Sequence, residues 1–553
     1  MFKKILKYTA LAAVLIASGI LLWAWCLYAS ADMKMPEHSF DDDGSLYFSD
    51  SLRTYDGNWL RLGKDGIWEM KVSGNSFERG YAIGQMSSDL LYYQENVFVE
   101  QIRRLIPSDS YLKFLRFFII MFNRNLGENV DEEYRNEIYG ISASCTHEFD
   151  AIGTPYERQM QYHSAHDIGH AMQDFMMVGC TSFAAWDGMT ADGGLLVGRN
   201  FDFYMGDDFS RNKLVSFFCP DDGYRFASVS WPGMIGVLSG MNEKGLTVTI
   251  NAARSDIPTS SATPISILAR EILQYASDIG QAYRIASRHR TFVSESILIG
   301  SAADHMAAVI EISPDKMSLF APEGDKVICT NHFQSNEFMS DRRNSENIRT
   351  SDSPYRYKRT EELAAGLAPL DRADAAAILR DRYGLGGCEL GLTNEMAVNQ
   401  LIAHHSVIFM PDSLMMWVST APWQCGKYVA YDLRRIFSDS TVPSGEICIP
   451  QDSIAHDPFL DGKGYSDALE YRRIHKVLRA CADAGTPGPD GIVDSLVAVN
   501  PHFYGTYDIA GDYYFCTGEH EKAVACWEKA LALPVPKTGI RDSIEKKIKK
   551  CKI

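Results

Sequence analysis

No two cysteines in the sequence are spaced CxxC: the twelve fall at 26, 145, 180, 219, 329, 388, 425, 448, 481, 516, 526 and 551. That scatter argues against a zinc ribbon or a redox dithiol, while an oxidising compartment would allow some of them to pair. Positive charge is also scarce. Lys and Arg number 54 against 71 Asp and Glu, and the net charge of −17 argues against a nucleic-acid binder, whose phosphate contacts need a basic face. What is present is ordinary for a globular protein, 46% hydrophobic and 23% charged residues. At 553 residues the chain exceeds what one core holds, so two or three domains are expected.

One uncharged run stands out, Tyr8 to Ser30, preceded by Lys3, Lys4 and Lys7. It is long enough to span a bilayer as a helix, and its positive flank orients the remainder outward. Ala29-Ser30-Ala31 fits a signal-peptidase site, but the apolar run is longer than a usual signal core, which favours a membrane anchor over 1–31 and an exported protein. Trp23 and Trp25 stand where a lipoprotein signal before Cys26 would want small residues.

The chemistry is concentrated in Val178-Gly179-Cys180-Thr181-Ser182-Phe183 and Gly198-Arg199-Asn200-Phe201-Asp202-Phe203. Two short alternating runs around a turn of small and acidic residues predict a β-hairpin, which brings Arg199 and Asp202 beside Cys180. A cysteine nucleophile needs a group that lowers its pKa and a base that takes its proton; a guanidinium and a carboxylate-held amine supply both. An isolated buried Cys is ordinarily structural, and the matched Arg and Asp are what tip the reading toward catalysis.

This pattern resembles the start of the mature catalytic chain in choloylglycine hydrolases, acid ceramidase and N-acylethanolamine acid amidase, with penicillin acyltransferases as more distant relatives. All are N-terminal-nucleophile (Ntn) hydrolases. The resemblance implies a four-layer αββα sandwich of α+β class, self-cleavage between Gly179 and Cys180, and the freed α-amine as base. Met241-Asn242-Glu243-Lys244-Gly245-Leu246, leading to Asn251, resembles the turn and strand of choloylglycine hydrolases that end in an oxyanion-hole Asn; by resemblance Asn251 takes that role. Cys329-Thr330-Asn331-His332-Phe333 resembles the strand end that carries a second Asn, here Asn331, with His332 structural. Ser353-Pro354-Tyr355-Arg356 resembles a helix entry whose Arg, here Arg356, completes the site. No cofactor is implied.

Upstream, Trp68 to Gln85 reads as strand, Gly turn and helix, and its Arg79-Gly80 resembles the pro-segment of penicillin-acyltransferase-like proteins. Tyr92 to Gly140 reads as helical. Histidines at 163, 166 and 170 share one helical face; that geometry could hold zinc, but a polar face packed near the cleavage site is the stronger reading, and no metal is expected. Downstream, strands are expected at 214–219, 225–231, 235–239, 246–251, 296–300, 306–312 and 327–331, and a helix at 265–288. Near the C-terminus Tyr507, Ala510, Gly511, Tyr514, Ala523, Trp527 and Pro534 fit the tetratricopeptide template, next to a helix expected at 467–482.

The resulting organisation is an anchor or signal at 1–31, a pro-segment at 32–179, a catalytic domain at 180–455 and a helical segment at 456–553, the last able to meet a protein partner. Two functions follow: a self-processing amidohydrolase or acyltransferase acting on linear amides of small N-acylated molecules, or a catalytically silent tetratricopeptide scaffold. A scaffold has no reason to keep Cys180, Arg199, Asp202 and Asn251 in register, so the enzyme is the preferred reading.

Overall fold

The computed structural model describes residues 32–40, 44–105, 123–171, 179–254 and 262–552, with isolated positions in 1–31. The expected membrane segment otherwise lies outside the described residues, as does Val178. Among the described residues no helix is long and apolar enough to cross a membrane.

The described strands are β1 (Leu46–Phe48), β2 (Leu52–Tyr55), β3 (Asn58–Leu62), β4 (Trp68–Gly74), β5 (Thr181–Ala185), β6 (Leu196–Phe201), β7 (Leu214–Pro220), β8 (Phe226–Ser230) and β9 (Ser239–Asn242). They continue with β10 (Leu246–Ala252), β11 (Glu295–Ser301), β12 (Met306–Ile312), β13 (Met317–Phe320), β14 (Lys326–Cys329), β15 (His405–Met410), β16 (Met415–Ser419) and β17 (Tyr428–Asp432). An eleven-stranded sheet runs β1-β2-β3-β4-β7-β8-β9-β10-β11-β12-β13, and a six-stranded sheet runs β14-β5-β6-β15-β16-β17.

Three apolar interfaces stack these sheets into layers. Outside the large sheet, Val248, Ile250 and Ile310 meet helices α1 (Ser76–Leu105), α2 (Glu132–Ser142), α3 (Pro155–Ala171), α4 (Ile265–Tyr275) and α5 (Ile279–Ala286). Between the sheets, Val215, Phe217 and Leu298 face Val197, Val407 and Phe409. Outside the small sheet, Phe183, Leu196 and Ile408 meet α6 (Ser353–Leu367) and α7 (Arg372–Leu379) through Ala364, Ile378 and Leu379. Each fully buried Val, Leu, Ile or Phe contributes about 1.5–3 kcal/mol, and alternation along a strand lets one strand serve two layers. The expected four-layer αββα arrangement is the one observed.

The segment before Cys180 is part of this sandwich. It supplies β1 to β4 and α1 to α3, and β4 pairs in parallel with β7 from Trp68↔Leu214 to Gly74↔Pro220. The Arg79-Gly80 motif has a packing meaning here. Arg79 is buried on α1 and donates to Glu137 of α2 at 2.7 Å, while Arg270 of α4 reaches the same carboxylate at 3.2 Å. Burial pushes Glu137 up, but Arg270 and Arg79 outweigh it and keep its pKa below the ordinary value. Gly80 lies against the Glu137 backbone so closely that an added Cβ would overlap its carbonyl. Gly80→Ala is therefore expected to force α1 from α2 at a cost of about 1–3 kcal/mol, read as a lower melting temperature; an unchanged melt would show that the helices separate freely.

Several sequence expectations shift. Residues 235–238 are not a strand, because two of their N–H groups go to helices: Ile235 N–H donates to His163 Nε2 at 3.1 Å and Val237 N–H to Ser266 O at 2.8 Å. The helix expected at 265–288 breaks in two where Asp278 caps α5 by accepting from Gln281 N–H at 2.7 Å. Strands β1 to β3 were not anticipated, and β13 was not either. Toward the C-terminus, α8 (Lys463–Ala484), α9 (Tyr504–Cys516), α10 (His520–Leu531) and α11 (Thr538–Cys551) share a core of their own around Tyr471, Ile509 and Trp527. This bundle also touches the sandwich: Arg472 of α8 donates to both carboxylate oxygens of Asp207 at 2.7 and 2.8 Å. All twelve cysteines are free thiols in the structure.

Candidate active site

The expected hairpin is formed by β5 and β6, with Thr181 opposite Asn200 and Ser182 opposite Arg199. Strand alternation then sorts the side chains. Phe183 and Leu196 face α7, whereas Ser182, Val197 and Arg199 face the large sheet: Ser182 Oγ donates to Asn251 Oδ1 at 2.8 Å, and Arg199 donates to Leu238 O at 2.7 Å and to Ile250 O. Cys180 shares the parity of Ser182, so it enters the space between the sheets, 1% exposed.

Arg199 Nη2 donates to Cys180 Sγ at 3.6 Å. Its guanidinium also binds Ser239 Oγ and lies 4.5 Å from the centre of the Phe201 ring. Burial raises the Cys180 pKa, and the Arg199 charge works against that rise. Asp202 is fully buried, its backbone carbonyl accepts from Gly179 N–H at 3.1 Å, and neither carboxylate oxygen has a hydrogen-bond partner among the described residues. Burial lifts its pKa to about 8, with Arg356 and Arg199 pulling the other way.

Arg356 stands in the first turn of α6, where Asp352 accepts from its Nε at 3.0 Å. From there it reaches Cys180 O at 2.6 Å, Thr181 Oγ1 at 2.9 Å and Asn331 Oδ1 at 2.6 Å. Asn331 in turn donates to Ala252 O at 2.8 Å, tying the β10 and β14 ends together. His332 sits between Thr330 Oγ1 and Ser353 Oγ at 3.1 and 2.8 Å, and burial lowers its pKa to about 4, a neutral hydrogen-bonding ring. The structure thus brings Cys180, Arg199, Asp202, Asn331 and Arg356 together. Asn251 belongs to the same cluster, but its amide is turned elsewhere, donating to Cys329 O at 2.9 Å and Thr330 O at 3.4 Å.

Two neighbours were not singled out from sequence. Ser239 links Arg199 to His405, which lies 2.8 Å away, and Gln400 Nε2 donates to Gly179 O at 3.1 Å. Neither residue type carries a chemical signature, and only the fold sets them against Arg199 and Gly179. His163 of the histidine face uses both ring nitrogens on backbone, Nδ1 with Gln159 O at 2.7 Å and Nε2 with Ile235 N–H, and burial lowers its pKa to about 4. The side chains of His166 and His170 lie outside the described ones. Among the described residues no cluster of His, Cys, Asp or Glu could hold a metal.

This geometry lies largely inside one matched segment. Residues 189–393 match the family model described as acyl-coenzyme A:6-aminopenicillanic acid acyl-transferase. This segment is therefore similar to that acyl-transferase family. The acyl-transferase match contains Arg199, Asp202, Asn251, Asn331 and Arg356, and starts nine residues after Cys180. An uncharacterized protein of Archaeoglobus fulgidus is 28% identical over 271 residues, covering 46% of this chain and 45% of that protein. Protein dcd1B of Dictyostelium discoideum is 25% identical over 292 residues, covering 49% and 55%. The chain thus spans about half the length of these curated relatives. Among solved structures, a Caenorhabditis elegans ortholog of N-acylethanolamine-hydrolyzing acid amidase aligns with TM-score 0.31 and 16% identity over 42% of this chain and 93% of that one. A mutant of the conjugated bile acid hydrolase from Clostridium perfringens aligns with TM-score 0.30 and 13% identity over 46% and 93%.

The cation beside the thiol has a measurable consequence. Arg199→Gln is expected to raise the apparent pKa of Cys180 by about 1–3, since an opposite charge at this distance favours the thiolate. Iodoacetamide alkylation of Cys180 as a function of pH reads it. Superimposable profiles would assign Arg199 to packing or substrate contact.

Proposed function

We propose that the protein is an exported, self-processing cysteine amidohydrolase or acyltransferase that acts on the linear amide bond of a small N-acylated molecule. The observation that carries this reading is the buried cluster of Cys180, Arg199, Asp202 and Arg356 at one end of the sandwich, directly after Gly179. After cleavage the α-amine of Cys180, with a pKa of about 8, takes the thiol proton as Sγ bonds to the substrate's acyl carbon. Collapse of the tetrahedral adduct expels the substrate amine, which receives that proton, and leaves an acyl thioester on Cys180. Water or an acceptor amine then takes the acyl group. Arg199 holds the thiol, Asp202 orients the amine, and Asn331 and Arg356 fix the strand ends around it. Asn251 supplies its amide to the oxyanion once it turns from Cys329.

In this reading residues 1–31 anchor or export the chain, 32–179 form the upstream chain, 180–455 the catalytic domain, and 456–553 a tetratricopeptide-like segment that can receive a protein partner. The substrate class is tested by offering the purified protein conjugated bile salts, N-acyl amino acids, N-acylethanolamines, ceramides and penicillins. Release or exchange of the acyl group from one of them, abolished in Cys180→Ala, is the expected result. Uniform inactivity of processed protein across the panel would count against the amide substrate class.

A further inference from the structure

A cut before Cys180 requires attack on the Gly179 carbonyl, and one side chain already holds that oxygen. Gln400 Nε2 donates to it at 3.1 Å. Gln400 is only 2% exposed, and a Cβ added to Gly179 would lie 2.7 Å from the same Nε2, so the amide occupies space that only glycine leaves open. The loop carrying Gln400 is fixed on both sides. Asn399 accepts from Leu401 N–H at 2.9 Å and donates to Arg380 O at 3.3 Å and Cys425 Sγ at 3.4 Å. Leu401 is fully buried with φ at 57°, a left-handed conformation that a branched side chain keeps only where its surroundings over-determine it. Arg472 of α8 donates to the Leu401 carbonyl, so the C-terminal bundle braces the loop. Asn251 does not compete for the role, since its amide is spent on Cys329 and Thr330.

We propose that Gln400 is the oxyanion donor of self-cleavage. The proposal rests on the reading of Cys180 as a self-processing nucleophile. As Cys180 Sγ bonds to the Gly179 carbonyl carbon and gives up its proton, the carbonyl π pair moves onto the Gly179 oxygen, against the Gln400 N–H. When the pair returns, the C–N bond breaks, the Cys180 nitrogen leaves as an amine carrying the proton, and Gly179 remains as a thioester on Sγ. Water adds to the thioester and the C–S bond breaks, giving the Gly179 carboxylate and the free thiol. A hydrogen bond that strengthens as charge grows on this oxygen lowers the barrier rather than merely holding the ground state.

The test follows cutting of the full chain during cell-free translation, by gel and by mass spectrometry of the new N-terminus. Wild type and Cys180→Ala set the limits. Gln400→Met, similar in length without a donor, and Gln400→Glu, isosteric without the N–H, are each expected to cut about 10²–10³-fold more slowly, the effect of removing one oxyanion donor. Both changes are also made in the Cys180→Ala chain, where melting temperature reports folding without cutting, and the better folded of the two decides. Hydroxylamine, which splits thioesters, should leave the variants slow, because the loss precedes the thioester. A folded variant that cuts within about threefold of wild type, or one whose cutting hydroxylamine restores, overturns the proposal. A wild-type chain that stays whole, or a Cys180→Ala chain that is cut, instead overturns the reading of Cys180.

Discussion

Purified full-length protein is expected to contain two chains, one beginning at Cys180, and Cys180→Ala to yield one. The thiol is the only group in the cluster able to form the thioester that precedes the cut, so its removal should abolish cutting rather than slow it. The two chains are expected to stay together under native conditions. The upstream chain contributes β1 to β4, and β4 is hydrogen-bonded along its length to β7 of the downstream chain. Across the same boundary Arg79 and Arg270 share Glu137, and Gln94 Nε2 donates to Phe209 O at 3.2 Å. Separating the chains would split the eleven-stranded sheet between β4 and β7 and take Arg270 from Glu137, and breaking a buried ion pair costs several kcal/mol. Size-exclusion chromatography followed by denaturing electrophoresis checks both statements. An active preparation with an intact Gly179–Cys180 bond would refute self-processing.

The hairpin at the centre of the site was legible because alternation and turn composition are local signals, and alternation together with the Ser182–Arg199 pairing sets Arg199 and Cys180 on one face. The strands upstream were not. Arg53 and Arg61 interrupt β2 and β3 with charges that sequence assigns to the surface. In the fold they are buried, because Arg53 meets Asp89 at 2.5 and 2.8 Å and Arg61 meets Glu69 at 3.3 Å. Burial lifts Glu69 to about 7 despite Arg61. Distant carboxylates of this kind leave no trace in a local pattern. The 235–238 stretch has the apolar look of a strand, and helices α3 and α4, reached through His163 and Ser266, claim two of its N–H groups. Gln400 shows the same limit at the site. Gln400, between Asn399 and Leu401, carries no chemical meaning until the loop folds across Gly179. Asn251 was found through the resemblance of its turn and strand to those of choloylglycine hydrolases, yet the direction of its amide depends on where β14 stops.

Asp202→Asn is expected to lower amide turnover by about 10²–10⁴-fold, the range that a positioned acid–base group contributes, while leaving the chain folded. The uncut chain explains why this carboxylate matters mainly afterwards. Asp202 is fully buried, its carboxylate has no hydrogen-bond partner among the described residues, and burial holds its pKa at about 8, so at neutral pH it is largely protonated. Gly179 N–H is bonded to Asp202 O at 3.1 Å, which sets the scissile unit beside it. Cutting converts the Cys180 peptide nitrogen into an amine there, and its positive charge gives the carboxylate a partner, draws its pKa down and is oriented in return. Self-cleavage, which precedes that amine, should suffer less from the substitution. Stability supplies an independent reading. A carboxyl whose folded pKa lies above its unfolded value of about 3.8 keeps its proton when folded and loses it when unfolded, so its contribution is complete below pH 4 and is lost as pH rises toward 8. In the uncut Cys180→Ala chain, Asp202→Asn should therefore raise the melting temperature more at pH 8 than at pH 5. The other acidic candidates nearby are committed elsewhere at the surface, Asp207 to Arg472 and Asp208 to Arg211. Wild-type amide turnover in Asp202→Asn would remove Asp202 from the mechanism, and a melting difference independent of pH would show that its carboxyl is not held protonated in the uncut chain.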